Sequence, residues 1–256
     1  MARNLFKMLI IAGCLLVSGY SNAQLYINGA QFFIESGATV TVQGDLTSNV
    51  DILGTGKVLL KGTSNQNIDM NNFTIPALEI DNVSNATLLS AAKIGTNLTF
   101  TNGNIILGSN NLTMASAATI TGPGISKFIV TNSTGKLVKS SLGGAPGFIY
   151  PVGNSPITYN PVTIVNTGTV DDIAVRALGN ALTTGLTGSA FTKEVVDASW
   201  DISEATNGGS NLSVTASWNA TDELAGFNRT KAGLSYYIPS PVGNVGWDLL
   251  NSQTGT

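Results

Sequence analysis

Apolar and polar residues alternate one for one in short runs along nearly the whole chain, and this period of two constrains the fold more than any other feature. In Thr39-Val40-Thr41-Val42-Gln43 the valines share one face and the polar residues the other. Leu98 and Phe100 alternate with Thr99 and Thr101, and Ile173, Val175 and Ala177 with Arg176. Leu212, Val214, Ala216 and Trp218 alternate with Ser213, Thr215, Ser217 and Asn219. Successive side chains of a strand point to opposite faces, so each run reads as a half-buried strand. Asn28-Gly29, Asn102-Gly103-Asn104, Gly108-Ser109-Asn110-Asn111 and Asn207-Gly208-Gly209 interrupt the runs. Asn and Gly tolerate positive φ and supply the turns. Helix signals are weak: Ala86 to Ile94 is a short candidate without a sustained stripe, and Thr221 to Gly226 reads as one turn capped by Thr221. The fold class is all-β.

The runs change character near Gly143-Gly144-Ala145-Pro146-Gly147. Before it the strands are short and loosely repeated, as in Gly56-Lys57-Val58-Leu59-Leu60 and Ala118-Thr119-Ile120-Thr121-Gly122. Units too short to bury an apolar face alone can bury it by stacking, so residues 24–142 are expected to form a β-solenoid or an open β-layer. After the boundary strands lengthen and aromatics enter, including Tyr150, Tyr159, Trp200, Trp218 and Trp247. Residues 143–256 are expected to form a β-sandwich with Trp200 and Trp218 inside.

Residues 1–23 read as a secretory signal peptide. Arg3 and Lys7 form a positive n-region, Met8 to Val17 an apolar h-region, and Ser21-Asn22-Ala23 a small-residue site ahead of Gln24. Ile11-Ala12-Gly13-Cys14 also fits a lipobox, but Leu15-Leu16-Val17 continue the apolar run past Cys14, so cleavage after Ala23 is the favoured reading. No segment supplies the roughly 20 apolar residues of a membrane span. The remaining chain holds 10 basic and 15 acidic residues, and it has no basic stripe to track nucleic-acid phosphates. With 43% apolar and 11% charged residues over all 256 positions the chain can bury a core, and its polar surface falls to Thr, Ser, Asn and Gly.

Tyr26-Ile27-Asn28-Gly29-Ala30 followed by Ser36 to Leu46, together with Gly54-Thr55-Gly56-Lys57-Val58, Tyr150-Pro151-Val152-Gly153 and Tyr159-Asn160-Pro161-Val162, resembles a family of exported Bacteroidota surface proteins. The resemblance covers most of the chain after the leader. It implies β-solenoid-like repeats, a β-sandwich and export, often through the type IX secretion system, and it implies no activity. The chain lacks the sorting domain found in many such proteins, so it is expected to be a fragment with an incomplete sandwich. Val245 to Leu250 would then be a strand without a partner.

Chemistry-bearing residues are sparse. The chain has no His, and its one Cys is Cys14 in the leader, which removes the commonest proton shuttles and thiol nucleophiles. Glycoside hydrolysis needs two carboxylates about 5 to 9.5 Å apart. Asp197 and Asp201 share a strand face but lie roughly 13 Å apart at about 3.3 Å per residue. Asp171 and Asp172 point opposite ways if extended. A Ser-Lys pair at Lys139-Ser140-Ser141 would set neighbours on opposite faces, and a lysine base must be desolvated. Thr-x-Thr repeats such as Thr39/Thr41, Thr99/Thr101, Thr119/Thr121 and Thr167/Thr169 lack the fixed period of an ice-binding plane. They read as good strand formers on solvated faces. No catalytic residue, cofactor site or metal site is assigned, although Asp and Asn oxygens leave a stray Ca²⁺ open. Tyr236-Tyr237 is the candidate glycan contact, because neighbours in a strand face opposite ways and one ring is left outside.

Three function classes follow. The leading one is a non-catalytic secreted or cell-surface structural or adhesion-type protein. The alternative is a carbohydrate-binding module of a surface polysaccharide system, and the remote alternative a β-helix polysaccharide lyase or hydrolase. The expected partners are an extracellular glycan or cell-surface components, and the expected location is secreted or on the outer cell surface.

Overall fold

A computed structural model describes residues 23–238 and 246–249. The leader through Asn22, and Val245 and Leu250 of the proposed last strand, lie outside the described residues. The alternating runs form strands that coil into a β-solenoid of about six turns. The first turn holds β1 (Leu25–Ile27), β2 (Phe32–Ile34) and β3 (Thr39–Val42); the second holds β4 (Leu46–Ser48), β5 (Ile52–Gly54) and β6 (Lys57–Leu60). In the third and fourth turns, β7 (Gln66–Asp69) is followed by the long β8 (Thr74–Asp81), and β9 (Ala86–Leu88) by β10 (Ala92–Asn102). The fifth turn has β11 (Ile105–Ile106), β12 (Leu112–Met114) and β13 (Thr119–Thr121), and the sixth has β14 (Ile129–Val130) and β15 (Leu137–Tyr150).

Face A stacks β1, β4, β7, β9, β11, β14 and β16 (Val152–Gly153) in one seven-stranded parallel sheet. Face C stacks β3, β6, the second half of β8, the second half of β10, and β13, with Val40, Val58, Leu78, Leu98 and Ile120 in one inward column. On face B, β2 pairs with β5, and further along the coil Ile75, Ile94, Met114 and Lys139 lie in register. Inward residues of successive turns touch, and that contact gives strands of two to four residues their stability. Val58, Leu78 and Leu98 are at most 1% exposed. Full burial of each such side chain is worth about 2 kcal/mol.

Corners need special residues because the backbone leaves the ladder there. Buried Gln66 donates from Nε2 to Val42 O and Gly44 O and accepts at Oε1 from Gly62 N and from Asn82 Nδ2 at 2.9 Å. Asn104 accepts from Phe128 N at 3.0 Å. At Gly103 (φ 78°) a Cβ would lie 1.9 Å from Asn82 O, so glycine alone fits under that carbonyl.

The separate sandwich expected after residue 143 is not confirmed. β17 (Val162–Leu178) runs antiparallel along the whole of β15. After the small hairpin of β18 (Leu182–Thr184) and β19 (Thr187–Ala190), β20 (Ser199–Glu204) pairs with one half of β17 and β21 (Leu212–Ala216) with the other. These strands continue the solenoid sheet, and a single core cluster runs from Ile27 to Ala177. Trp200 is half-buried against this core with its indole N–H on Asn160 O at 2.8 Å, and Trp218, two residues past β21, is half-buried with its indole N–H on Glu223 Oε1 at 3.0 Å and its ring edge-on to Phe227. Alternation along β21 holds, with Leu212, Val214 and Ala216 half-buried and Ser213 and Thr215 exposed.

Two local expectations are corrected. Ala86 to Ile94 is no helix: it supplies β9 and the start of β10, where Ala86, Leu88, Ala92 and Ile94 all point inward. The turn near Thr221 is a 3-10 turn at Ala220–Asp222, and its cap is Asn219, whose backbone N–H donates to Asp222 Oδ2 at 3.1 Å and whose carbonyl accepts from Asp222 N at 2.9 Å. The last strand also has a partner, since β22 (Ser235–Ile238) pairs antiparallel with β23 (Gly246–Leu249).

Candidate functional site

Tyr236 and Tyr237 lie on β22, and the strand parity separates them. Tyr237 is paired with Trp247 and packs edge-on against it, ring centroids 5.6 Å apart. Its ring also sits over Gly185, where a Cβ would come within 2.7 Å of Cδ1. Trp247 Nε1 donates to Leu182 O at 2.9 Å, so this side of the hairpin docks on the β18–β19 hairpin. Tyr236 lies on the other side, 46% exposed, across from Asp248. Of the two candidate rings, Tyr236 is therefore the one available to a ligand, and Tyr237 is structural.

The acidic residues hold turns and strands. Asp201 accepts from Lys136 Nζ at 2.7 Å and Arg176 Nε at 2.8 Å. Burial alone would raise its pKa, but these two donors outweigh burial and hold the carboxyl below the usual aspartate range. Asp171 accepts from the backbone N–H groups of Asp172 and Thr206, and Asp172 accepts from Ser141 N. Asp222 accepts from Asn160 Nδ2, and Glu223 from Trp218 and Arg229. Among the described residues no three His, Cys, Asp or Glu side chains gather as a metal cluster would require.

Lys139 is the one placement that the sequence reading missed in kind. It shares parity with Leu137 and occupies the inward column beside Met114, only 6% exposed. Its ammonium donates to Ala115 O, Ser116 O and Ala118 O at 2.7 to 2.8 Å and lies 4.9 Å from the centre of the Phe148 ring. Burial pushes its pKa below the ordinary lysine value. All three N–H bonds nevertheless have carbonyl acceptors, which leaves no lone pair for activating Ser140 or Ser141. The signal was available: Leu137 and Lys139 lie two residues apart, as inward neighbours do. The groove beside Ser140 and Ser141 measures about 250 Å³, below the usual range for small-molecule sites of roughly 300 Å³ and above.

Of the threonine pairs of the fourth and fifth turns, Thr99 stacks on Thr121, while Thr119 lies over Asn97 and Thr101 has no threonine in register. Asn97 and Thr99 lie in register with Thr119 and Thr121, linked by Asn97 Nδ2 to Thr119 Oγ1 at 2.8 Å and by the two hydroxyls of Thr99 and Thr121 at 3.1 Å. Lys57, Leu59 and Glu79 break the column in the second and third turns. The outside of face C is thus a mixed polar surface with two ion pairs, Lys57–Glu79 and Lys61–Asp81.

No protein-family model, curated protein or solved structure matches this chain. Among the described residues no helix is long and apolar enough to cross a membrane.

Proposed function

We propose that this chain is an exported, non-catalytic structural or adhesion-type protein of the cell surface or extracellular space, in which the solenoid serves as a stiff scaffold. The observation that carries this reading is the employment of its ionisable groups. Asp171, Asp172, Asp201, Asp222, Glu223 and Lys139 all bond to backbone or side-chain partners that hold the fold. The leader motif supports export. Mass spectrometry of the exported protein should find Gln24 at its N-terminus. Incubation with acidic and neutral polysaccharides should release no reducing ends and no unsaturated uronates; release of either would overturn the reading.

A carbohydrate-binding role is the second reading, favoured by exposed Tyr236 beside Asp248. An aromatic face stacks on a sugar ring and a carboxylate accepts its hydroxyls. Glycan-array binding that Tyr236→Ala abolishes, with the fold intact by circular dichroism, would establish it. Binding untouched by that change would reject this site.

A further inference from the structure

The two ends of the solenoid are finished differently. At the far end Asn160 N donates to Val152 O and covers the last strand of face A, and Tyr159 packs on Phe128 with centroids 5.1 Å apart. There β17 and β20 continue the sheet antiparallel. At the near end, among the described residues, no strand pairs with the outer edges of β1, β2 and β3. Half of the inward side chains of the first turn mark the same contrast, the other half (Ile27, Ile34 and Val42) being at most 4% exposed. Leu25, Phe32 and Val40 are half-buried, whereas their register partners Leu46, Ile52 and Val58 are 0%, 2% and 0% exposed. Tyr26 and Phe33 add two outward rings on this turn, 64% and 60% exposed. From Gln24 to Gln43 the sequence has no Lys, Arg or Pro and a single charge, Glu35. Soluble proteins protect open strand edges with lysine, proline or bulges, and the first turn has no lysine or proline.

We infer that this end is an interface between two copies of the chain, joined first turn to first turn about a two-fold axis. The inference rests on the export reading, in which Gln24 begins the mature protein one residue ahead of β1. A two-fold axis across the solenoid axis reverses the winding. Each first-turn strand then runs antiparallel to a strand of the other copy, the orientation in which two open edges satisfy each other's N–H and C=O groups. Leu25, Phe32 and Val40 of both copies close one apolar layer, and the near absence of charge leaves little like-charge repulsion. Head-to-tail stacking is disfavoured because Asn160 covers face A at the far end, so association stops at a dimer.

The test is sedimentation of the full chain exported from a secreting host, with its N-terminus read by mass spectrometry. A dimer beginning at Gln24 is expected. Tyr26→Lys and Phe33→Lys change outward side chains and should each weaken it by about tenfold or more. Leu89→Lys, an exposed site on the fourth turn, should not. Cys14 leaves with the leader, so Thr41→Cys provides the mature chain's only thiol, and a short bismaleimide should join two copies through it. A monomer beginning at Gln24 at the highest soluble concentration would overturn the pairing alone. A dimer indifferent to Phe33→Lys and uncrosslinked at Thr41→Cys would do the same. A retained leader would overturn both the pairing and the export reading.

Discussion

Lys139 shows how a single side chain can close a solenoid corner. Its column holds Ile75, Ile94 and Met114 in the earlier turns, and an ammonium enters it only because the 115–118 loop turns three carbonyls inward. Lys139→Ala removes the ammonium from Ser116 O and Ala118 O, leaves Ala115 O only its bond from Ala118 N, and opens a cavity, and should cost about 3 kcal/mol in urea denaturation. Lys139→Met restores volume but no donor, so it should recover only part of that loss. The corner glycines divide in the same way. Gly103→Ala drives a methyl group into Asn82 O and should cost about 2 kcal/mol or more. Gly108 has φ 58° and open space around its Cβ, so Gly108→Ala should cost only about 1 kcal/mol. Thermal melts of the two variants would separate them.

Among the elements, β20 is held by charge. Asp201 ties it to Lys136 of the solenoid and to Arg176 of β17. A carboxylate whose folded pKa is depressed stabilises the fold above its unfolded pKa of about 3.9, and that contribution fades as pH falls through the folded value. Asp201→Asn should therefore lower stability by about 2 kcal/mol at neutral pH. The two proteins should converge as the pH falls through the depressed folded pKa of Asp201, which denaturant titrations at several pH values would show. On β21 the parity argument yields a second test. Val214→Asp should destabilise by about 2 kcal/mol and Thr215→Asp by under about 0.5 kcal/mol. Equal losses would mean that the strand is buried on both faces. The inward and outward sides of these strands were legible in the sequence because side-chain alternation is a local property of extended backbone. Their partners were not: Trp200 packs against the solenoid core from β20, whereas Trp218 lies two residues past β21 and packs edge-on against Phe227.

At the scale of the molecule, stacking was legible and register was not. Residues that lie over one another are separated by as few as 18 positions, from Thr39 to Lys57, and as many as 25, from Leu112 to Leu137. Corners absorb the difference, so no fixed period marks the turns. The lengthening strands after Gly143 to Gly147 point to a new domain in the sequence, but that segment lies inside β15, which begins on the solenoid and ends in the antiparallel ladder with β17. Parity alone says that one ring of Tyr236-Tyr237 faces outward; which one depends on Gly185 and Trp247, which are distant in sequence. The central claim is that one core unites the parallel turns with the antiparallel strands. Hydrogen exchange across a series of denaturant concentrations tests it most directly. Strands β6, β8 and β10 and the inward residues of β15 and β17 should open together, as one cooperative unit. If residues 143–216 open as a unit of their own while β6 to β12 stay protected, the continuous core is contradicted and a separate C-terminal domain takes its place.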